Sequence, residues 1–259
     1  MVSGGIKLEK LLSGKKILIM GVANKRSIAW GCAQAMLDNG AELIFTYQNA
    51  RLKKSLLRLI SDEERLVECD VSSDDSIKNA FEIIKEKFGK IDGIVHAIAY
   101  ANKDELAGDI MNSSREGYAL AQDISAFSLI AVAKYGIEIL NNPASIVTLT
   151  YFGSERAIPN YNVMGVAKAA LEASVRYLAR DMGKYGVRVN AISAGAIKTL
   201  AVTGVKDHGD LLRISEERTV DGKSVTTSEV GGTAAFLVSD LSTGVVGDVI
   251  YVDKGVHLI

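Results

Sequence analysis

Two cysteines, two prolines, one tryptophan and three histidines are all that 259 residues contain of these types. Each scarcity excludes something. A disulfide framework or a cysteine-based metal site needs more thiols at tighter spacing than Cys32 and Cys69 provide, and both sit among apolar neighbours, as buried free thiols do. His96, His208 and His257 are scattered, so no metal site is expected. Neither sign of charge dominates, since the formal net charge is −1. Without a basic stripe, neither nucleic acid nor a membrane surface is an expected partner. No run approaches the roughly 18 apolar residues of a membrane helix. Met1 to Leu12 carries Lys7, Glu9 and Lys10 where a signal peptide would have its apolar core. A reducing, cytoplasmic location is the expectation.

What the chain does contain is 48% apolar residues and 24 glycines, enough core for one α/β domain over 1–259 with glycine turns. Lys16 to Gly21 is a short apolar run ending in glycine, the pattern of a strand buried on both faces. An alanine-rich helix follows, to about Asn39, where Gly40 supplies a cap. A strand that turns through glycine into a helix start can hold a pyrophosphate on backbone N–H groups and the helix dipole. The usual G-x-G-x-x-G spacing is absent, however: after Gly21 only the small residues Ala23 and Ser27 remain.

Glu42 to Tyr47 reads as the second strand and ends at Gln48-Asn49-Ala50-Arg51, where an NAD-binding unit would place an acid for the adenosine ribose. The amide of Gln48 favours NADH. Arg51, Lys53 and Lys54 could instead attract a 2′-phosphate, which keeps NADPH open as the less favoured cofactor. Arg65 to Cys69 is the third strand. Asp70, at its end, suits an adenine amine, and equally suits capping a helix from about Ser73 to Phe88. Ile91–Ala97 and Ser145–Thr150 read as the fourth and fifth strands, with helices near 114–127 and 128–140 between them. A long helix from about Tyr161 to Lys184 leads to a sixth strand at 186–192. Residues 198–225 lack a strong period, and a connection of that length reads as a lid. A helix at 228–239 and a strand at Val249–Val252 end the chain. This β-α alternation implies a parallel sheet covered on both faces.

The head of the long helix, Tyr161-Asn162-Val163-Met164-Gly165-Val166-Ala167-Lys168, places a phenol and an ammonium two turns apart on one face. A phenol can donate to an oxygen gaining negative charge, and a nearby cation favours that role. With Ser27-Ile28-Ala29, Phe45-Thr46-Tyr47-Gln48-Asn49, Cys69-Asp70-Val71, Ser154 to Gly165 and Arg188 to Gly195, the chain resembles the short-chain dehydrogenase/reductase superfamily. Within it, the resemblance is to the divergent branch of NADH-dependent enoyl-acyl-carrier-protein reductases, over about Ser13 to Val252. Ordinary superfamily members have Tyr-x-x-x-Lys, and Met164 stands where that tyrosine would be; the divergent branch has Tyr-x6-Lys, as here.

The resemblance implies a Rossmann-type doubly wound sheet of about seven strands in the order 3-2-1-4-5-6-7. It implies reduction of enoyl thioesters on acyl carrier protein in fatty-acid synthesis, and a homotetramer formed through the long helix and the one before the fifth strand. Tyr161 would bond the thioester carbonyl, Lys168 the nicotinamide ribose, and Tyr151 would line the acyl pocket. Gly21, Ser27, Ile28, Gln48, Asp70, Val71, Ala97 and Ile197 would contact cofactor, with Ala97 and Ala99 along the passage past the nicotinamide. Departures from the branch are Ala99 for glycine, Ala196 for proline, Lys254 for glycine, and Thr219-Val220-Asp221-Gly222-Lys223 for an arginine-rich segment, which predicts a looser base of the lid. Near the portal, at 206–210, only Lys206 is clearly basic, which predicts weak docking of an acidic carrier. Two alternatives are another NAD(P)H-dependent oxidoreductase, against which Met164 counts, and a non-catalytic dinucleotide sensor.

Overall fold

Seven strands lie side by side in the order β3-β2-β1-β4-β5-β6-β7, every neighbouring pair parallel. They are β1 Lys16–Met20, β2 Glu42–Tyr47, β3 Leu66–Glu68, β4 Ile91–His96, β5 Leu140–Thr150, β6 Val187–Ala194 and β7 Val249–Val252. The computed structural model describes residues 10–199 and 208–259. Lys206, and residues 200–207 of the expected lid, lie outside them.

Successive side chains along a strand point to opposite faces, so each apolar run feeds two cores. Leu18, Met20, Ile44, Ile94, Ile146 and Val189 pack with residues of α3 (Asp74–Phe88), α5 (Ser128–Gly136) and α6 (Asn162–Met182). Ile17, Ile19, Leu43, Phe45, Val95 and Val147 pack on the other side with α1 (Ile28–Asp38) and α8 (Thr227–Val238). Each fully buried side chain of this kind contributes roughly 2 kcal/mol. Cys32 and Cys69 are both buried free thiols, as expected.

Several boundaries differ from the sequence reading. The third strand is only Leu66–Glu68, because Glu63–Arg65 closes into a short 3-10 turn capped by Asp62. The fifth strand starts earlier, at Leu140, through a register irregularity against β4 that accommodates Pro143, which has no N–H to donate. The two helices before it, α4 (Arg115–Gln122) and α5, join through a π turn at Asp123–Phe127. Two further helices were not anticipated: α2 at Ala50–Leu56, capped by Asn49, and α7 at His208–Glu217 inside the expected lid. The base of that lid is also tied down. Val220 N donates to Lys254 O at 2.9 Å, and Lys254 Nζ lies 3.2 Å from Asp221 and 3.3 Å from Glu229. Lys254 makes these contacts from a left-handed backbone, φ 53°, which is the conformation glycine would serve in the related branch.

Candidate active site

The strand order changes direction between β1 and β4, so the connections leaving their C-terminal ends diverge and leave a crevice. Gly21 closes β1 with φ +97°, and a Cβ there would lie 2.0 Å from Ala97 O at the end of β4. The absence of a side chain lets the two strand ends touch. The Ser27 hydroxyl accepts from Ala23 N at 3.1 Å and Asn24 N at 3.0 Å, so one oxygen shapes a turn for which the usual fingerprint uses further glycines. Because that hydroxyl faces the turn, it does not cap α1, whose first turn also carries no acid. The backbone N–H groups at Ile28 and the positive end of the helix therefore suit an anion.

The crevice is a cleft of about 410 Å³ whose walls include Gly21, Gln48, Asp70, Val71, Ala97 and Ala99, all expected, and Thr46, Leu52, Tyr100 and Ile124, which were not. At its far end Gln48 Nε2 donates to Asp70 Oδ2 at 3.2 Å, while Ser72 N and Oγ donate to Asp70 Oδ1 at 3.0 and 2.8 Å. Partial burial opposes ionisation of Asp70, but the Ser72 and Gln48 hydrogen bonds outweigh it and hold the carboxyl below its ordinary range. Asp70 is not the cap of α3; Ser73 is, accepting from Ser76 N. The carboxylate is thus left for the cleft. Of the nearby basic residues, Lys53 is already engaged, 2.6 Å from Glu63 and over the Tyr47 ring.

Tyr151, Tyr161 and Lys168 gather one strand further along the same sheet edge, beyond β5, and do not form the walls of that cleft. Tyr151 follows the last residue of β5, and Tyr161 is the N-cap residue of α6. Their rings meet edge to face, with centroids 5.1 Å apart at 77°. Space for the Tyr161 ring comes from Gly153, where a Cβ would lie 2.7 Å from Tyr161 Cδ1. Lys168 is 6% exposed and donates from Nζ to Leu149 O at 2.7 Å. One turn on, the buried Glu172 accepts from Thr150 Oγ1 at 2.6 Å; its i+4 relation to Lys168 is visible in the sequence. Ser27 and Ile28 sit at the start of α1, and Ile197 is buried beyond β6.

Burial sets the protonation of this group. It pushes the Tyr161 phenol far above its usual range, with Tyr151 and Glu172 adding to the effect. It raises Tyr151 to about 12, against the opposing pull of Arg218. Both hydroxyls therefore hold their protons at neutral pH and are able to donate them in hydrogen bonds. Lys168 is lowered to about 8, burial outweighing the attraction of Glu172. His96, enclosed between Thr148 Oγ1 at 3.0 Å and Ser128 Oγ at 2.9 Å, is lowered to about 3 by burial and by the Lys168 charge, and stays neutral.

A turn built for an anion, a cleft ending in an amide and a carboxylate, and a phenol pair beside a buried lysine together fit a dinucleotide-dependent reductase. Residues 21–257 match the family model for enoyl-(acyl carrier protein) reductase. The chain belongs to that family. Within the reductase family it is 62% identical over 247 residues to the enoyl-[acyl-carrier-protein] reductase [NADH] FabI of Enterococcus faecalis, covering 95% of this chain and 99% of that one. Identity to the Escherichia coli FabI is 51%, covering 94% of each. Among solved structures, the Bacillus cereus reductase with NADP+ and indole naphthyridinone superposes with a TM-score of 0.94 at 50% identity, covering 96% of this chain and 99% of that one. The reductase of Anaplasma phagocytophilum in complex with NAD gives 0.92 at 42% identity, covering 96% of each. Among the described residues, no helix is long and apolar enough to cross a membrane and no group of metal-ligating side chains occurs.

Proposed function

We propose that this chain reduces trans-2-enoyl thioesters on acyl carrier protein in fatty-acid synthesis, with NADH as reductant. The observation that carries the reading is the placement of a protonated Tyr161, packed against Tyr151, at the head of the helix that two turns on carries the buried Lys168 to the end of β5. The glycine turn and uncapped α1 fit a pyrophosphate, and Gln48 with Asp70 fits an adenosine. With Lys53 held by Glu63, the region offers less to a 2′-phosphate than its basic residues suggest, which favours NADH. The direct test is loss of NADH absorbance on adding crotonyl coenzyme A or a longer enoyl thioester. Turnover with ketones but not enoyl thioesters would refute the reading, and binding of NADH without turnover of either would favour a sensor.

NADH, when bound, supplies the hydride. The chain's own residues then have three tasks. The Tyr161 hydroxyl donates to the thioester oxygen as charge moves onto it, and a pre-placed donor of this kind is usually the largest electrostatic contribution to such a barrier. Lys168, whose Nζ lies at the end of β5 on Leu149 O, would hold the nicotinamide ribose hydroxyls. Tyr151 packs against Tyr161, fixing its ring and closing the acyl side from water.

The buried ammonium has a cost that can be measured. Between about pH 8 and 10.5 the folded protein has released a proton that the unfolded chain still holds, so stability rises with pH through that window and the full penalty applies below it. The displacement corresponds to about 3 kcal/mol, partly offset by roughly 1 kcal/mol from the Leu149 hydrogen bond. Lys168→Met is therefore expected to stabilise the protein at pH 7 by about 2 kcal/mol, to lose that advantage by pH 10.5, and to bind NADH poorly. Denaturant unfolding at several pH values checks the sign.

Assembly as a homotetramer is supported by an apolar groove of about 300 Å³ between α5 and α6, lined by Ile130, Ala173, Ser174, Tyr177, Leu178 and Asp181, with Tyr177 70% exposed. Light scattering tests it. Weak carrier docking is supported by α7, whose Arg213 is already paired with Asp210 and Glu217. A cytoplasmic location is in keeping with the free thiols.

A further inference from the structure

Two asparagines bracket Tyr161, and both have left-handed backbones, with φ 60° at Asn160 and 34° at Asn162. For residues other than glycine this region costs about 1–2 kcal/mol, and asparagine is among the few that enter it routinely. Strain concentrated around one side chain is a reason to ask what the side chain does. Tyr161 itself is ordinary, φ −102° and ψ −29°. The unusual steps immediately before and after it decide where its ring leaves the chain, which is over Gly153 and against Tyr151.

The Asn162 side chain has a second task. Its Nδ2 donates to Gly108 O at 3.0 Å, 54 residues away. Gly108 belongs to the connection from β4 to α4, which begins at the cleft wall with Ala97 and Ala99. Upstream that connection is pinned where Ser125 Oγ accepts from Tyr100 N at 2.9 Å and donates to Tyr100 O at 3.0 Å. Further along, Glu105 accepts from Ser114 N at 3.1 Å and from its hydroxyl at 2.5 Å. Gly108 lies between the Glu105 and Ser114 ends of that second tie, and Asn162 holds it to the start of α6.

We propose that Asn162 is a positioning residue for the reduction: its left-handed backbone aims Tyr161, and its amide locks the β4–α4 connection against the helix start that presents the donor. The proposal rests on the reading of Tyr161 as that donor. Three substitutions separate the two tasks. Asn162→Gly keeps the backbone and loses the amide, Asn162→Asp keeps the shape but turns a carboxylate toward a carbonyl oxygen, and Asn162→Ala loses both.

With the amide gone, kcat for a long enoyl thioester is expected to fall about fivefold to tenfold in Asn162→Gly and Asn162→Asp, the equivalent of one hydrogen bond. NADH affinity should stay within about twofold of wild type, and Asn162→Ala should be slower than either. Gly108→Ala, where a Cβ meets open space but φ +73° is disfavoured, shifts the acceptor. Combined with Asn162→Gly, it should be no worse than the poorer single variant, since both break one contact. Wild-type kcat and KM in Asn162→Gly and Asn162→Asp would overturn the proposal, as would a fall in kcat matched by equal losses of NADH affinity and thermal stability. Tyr161→Phe is measured alongside. If it turns over normally, the donor reading has failed; if it is impaired while the Asn162 variants are not, only the present inference has. Should Asn162→Ala not fold, the glycine and aspartate variants decide alone.

Discussion

Tyr161→Phe is expected to lower kcat about a hundredfold with NADH affinity unchanged, the loss of one oxyanion donor being on the order of 3 kcal/mol. The substitution is unusually clean here. Phenylalanine keeps the edge-to-face contact with Tyr151 at 5.1 Å and still fills the space over Gly153, so only the hydroxyl is removed. Because the phenol holds its proton well beyond neutral pH, the rate of the wild-type enzyme should not show a phenolate-forming limb below about pH 9. Steady-state kinetics with a fluorescence titration of NADH separate the two effects. A parallel loss of cofactor affinity would contradict the division of labour between Tyr161 and Lys168.

Gly21→Ala is the second large effect, and it acts on the cofactor side. A left-handed residue with a side chain costs about 1–2 kcal/mol, and the new Cβ would sit 2.0 Å from a backbone oxygen, an overlap worth a further 1–3 kcal/mol, roughly. Destabilisation of about 3 kcal/mol, or several degrees in Tm, is expected, together with loss of measurable NADH binding. Gly89→Ala is the control. It also has a positive φ, with ψ −140° in a region that glycine dominates, but meets nothing within 4 Å, so it should cost about 1–3 kcal/mol from the backbone alone and leave NADH binding intact. If the two variants behave alike, the approach of β1 to β4 is not what Gly21 is for.

The strands were legible because a sheet covered on both faces needs unbroken apolar runs, and Ile17 to Met20 or Ile146 to Leu149 can hardly be anything else. What escaped notice was polar or short. Ala50–Leu56 is only seven residues long, three of them basic. His208–Glu217 carries a glycine at its second position, which argues against a helix there. Asn141 to Ala144 fall between the expected helix and strand, yet extend as strand, held at one end by Leu140 beside Ile91 of β4 and at the other by Ala144 beside Val187 of β6. Residue types and spacing identified the phenol, the lysine, the glycine turn and the Gln48–Asp70 end of the cleft. They could not show that Lys168 turns inward to Leu149, nor that Ser73 and not Asp70 caps α3. The first depends on which groups tertiary packing brings together and the second on the local backbone at the helix start, and periodicity carries no information about either.

Met164 occupies the position from which ordinary relatives project their tyrosine, and here it is buried at 7% exposure with Leu106, Ala121, Val163 and Ala167. Met164 fills that small apolar pocket, so a tyrosine ring cannot be placed there without repacking it. A phenol reintroduced at 164 would have to displace its neighbours before it could meet a substrate, while the one at 161 would still hold the ground in front of it.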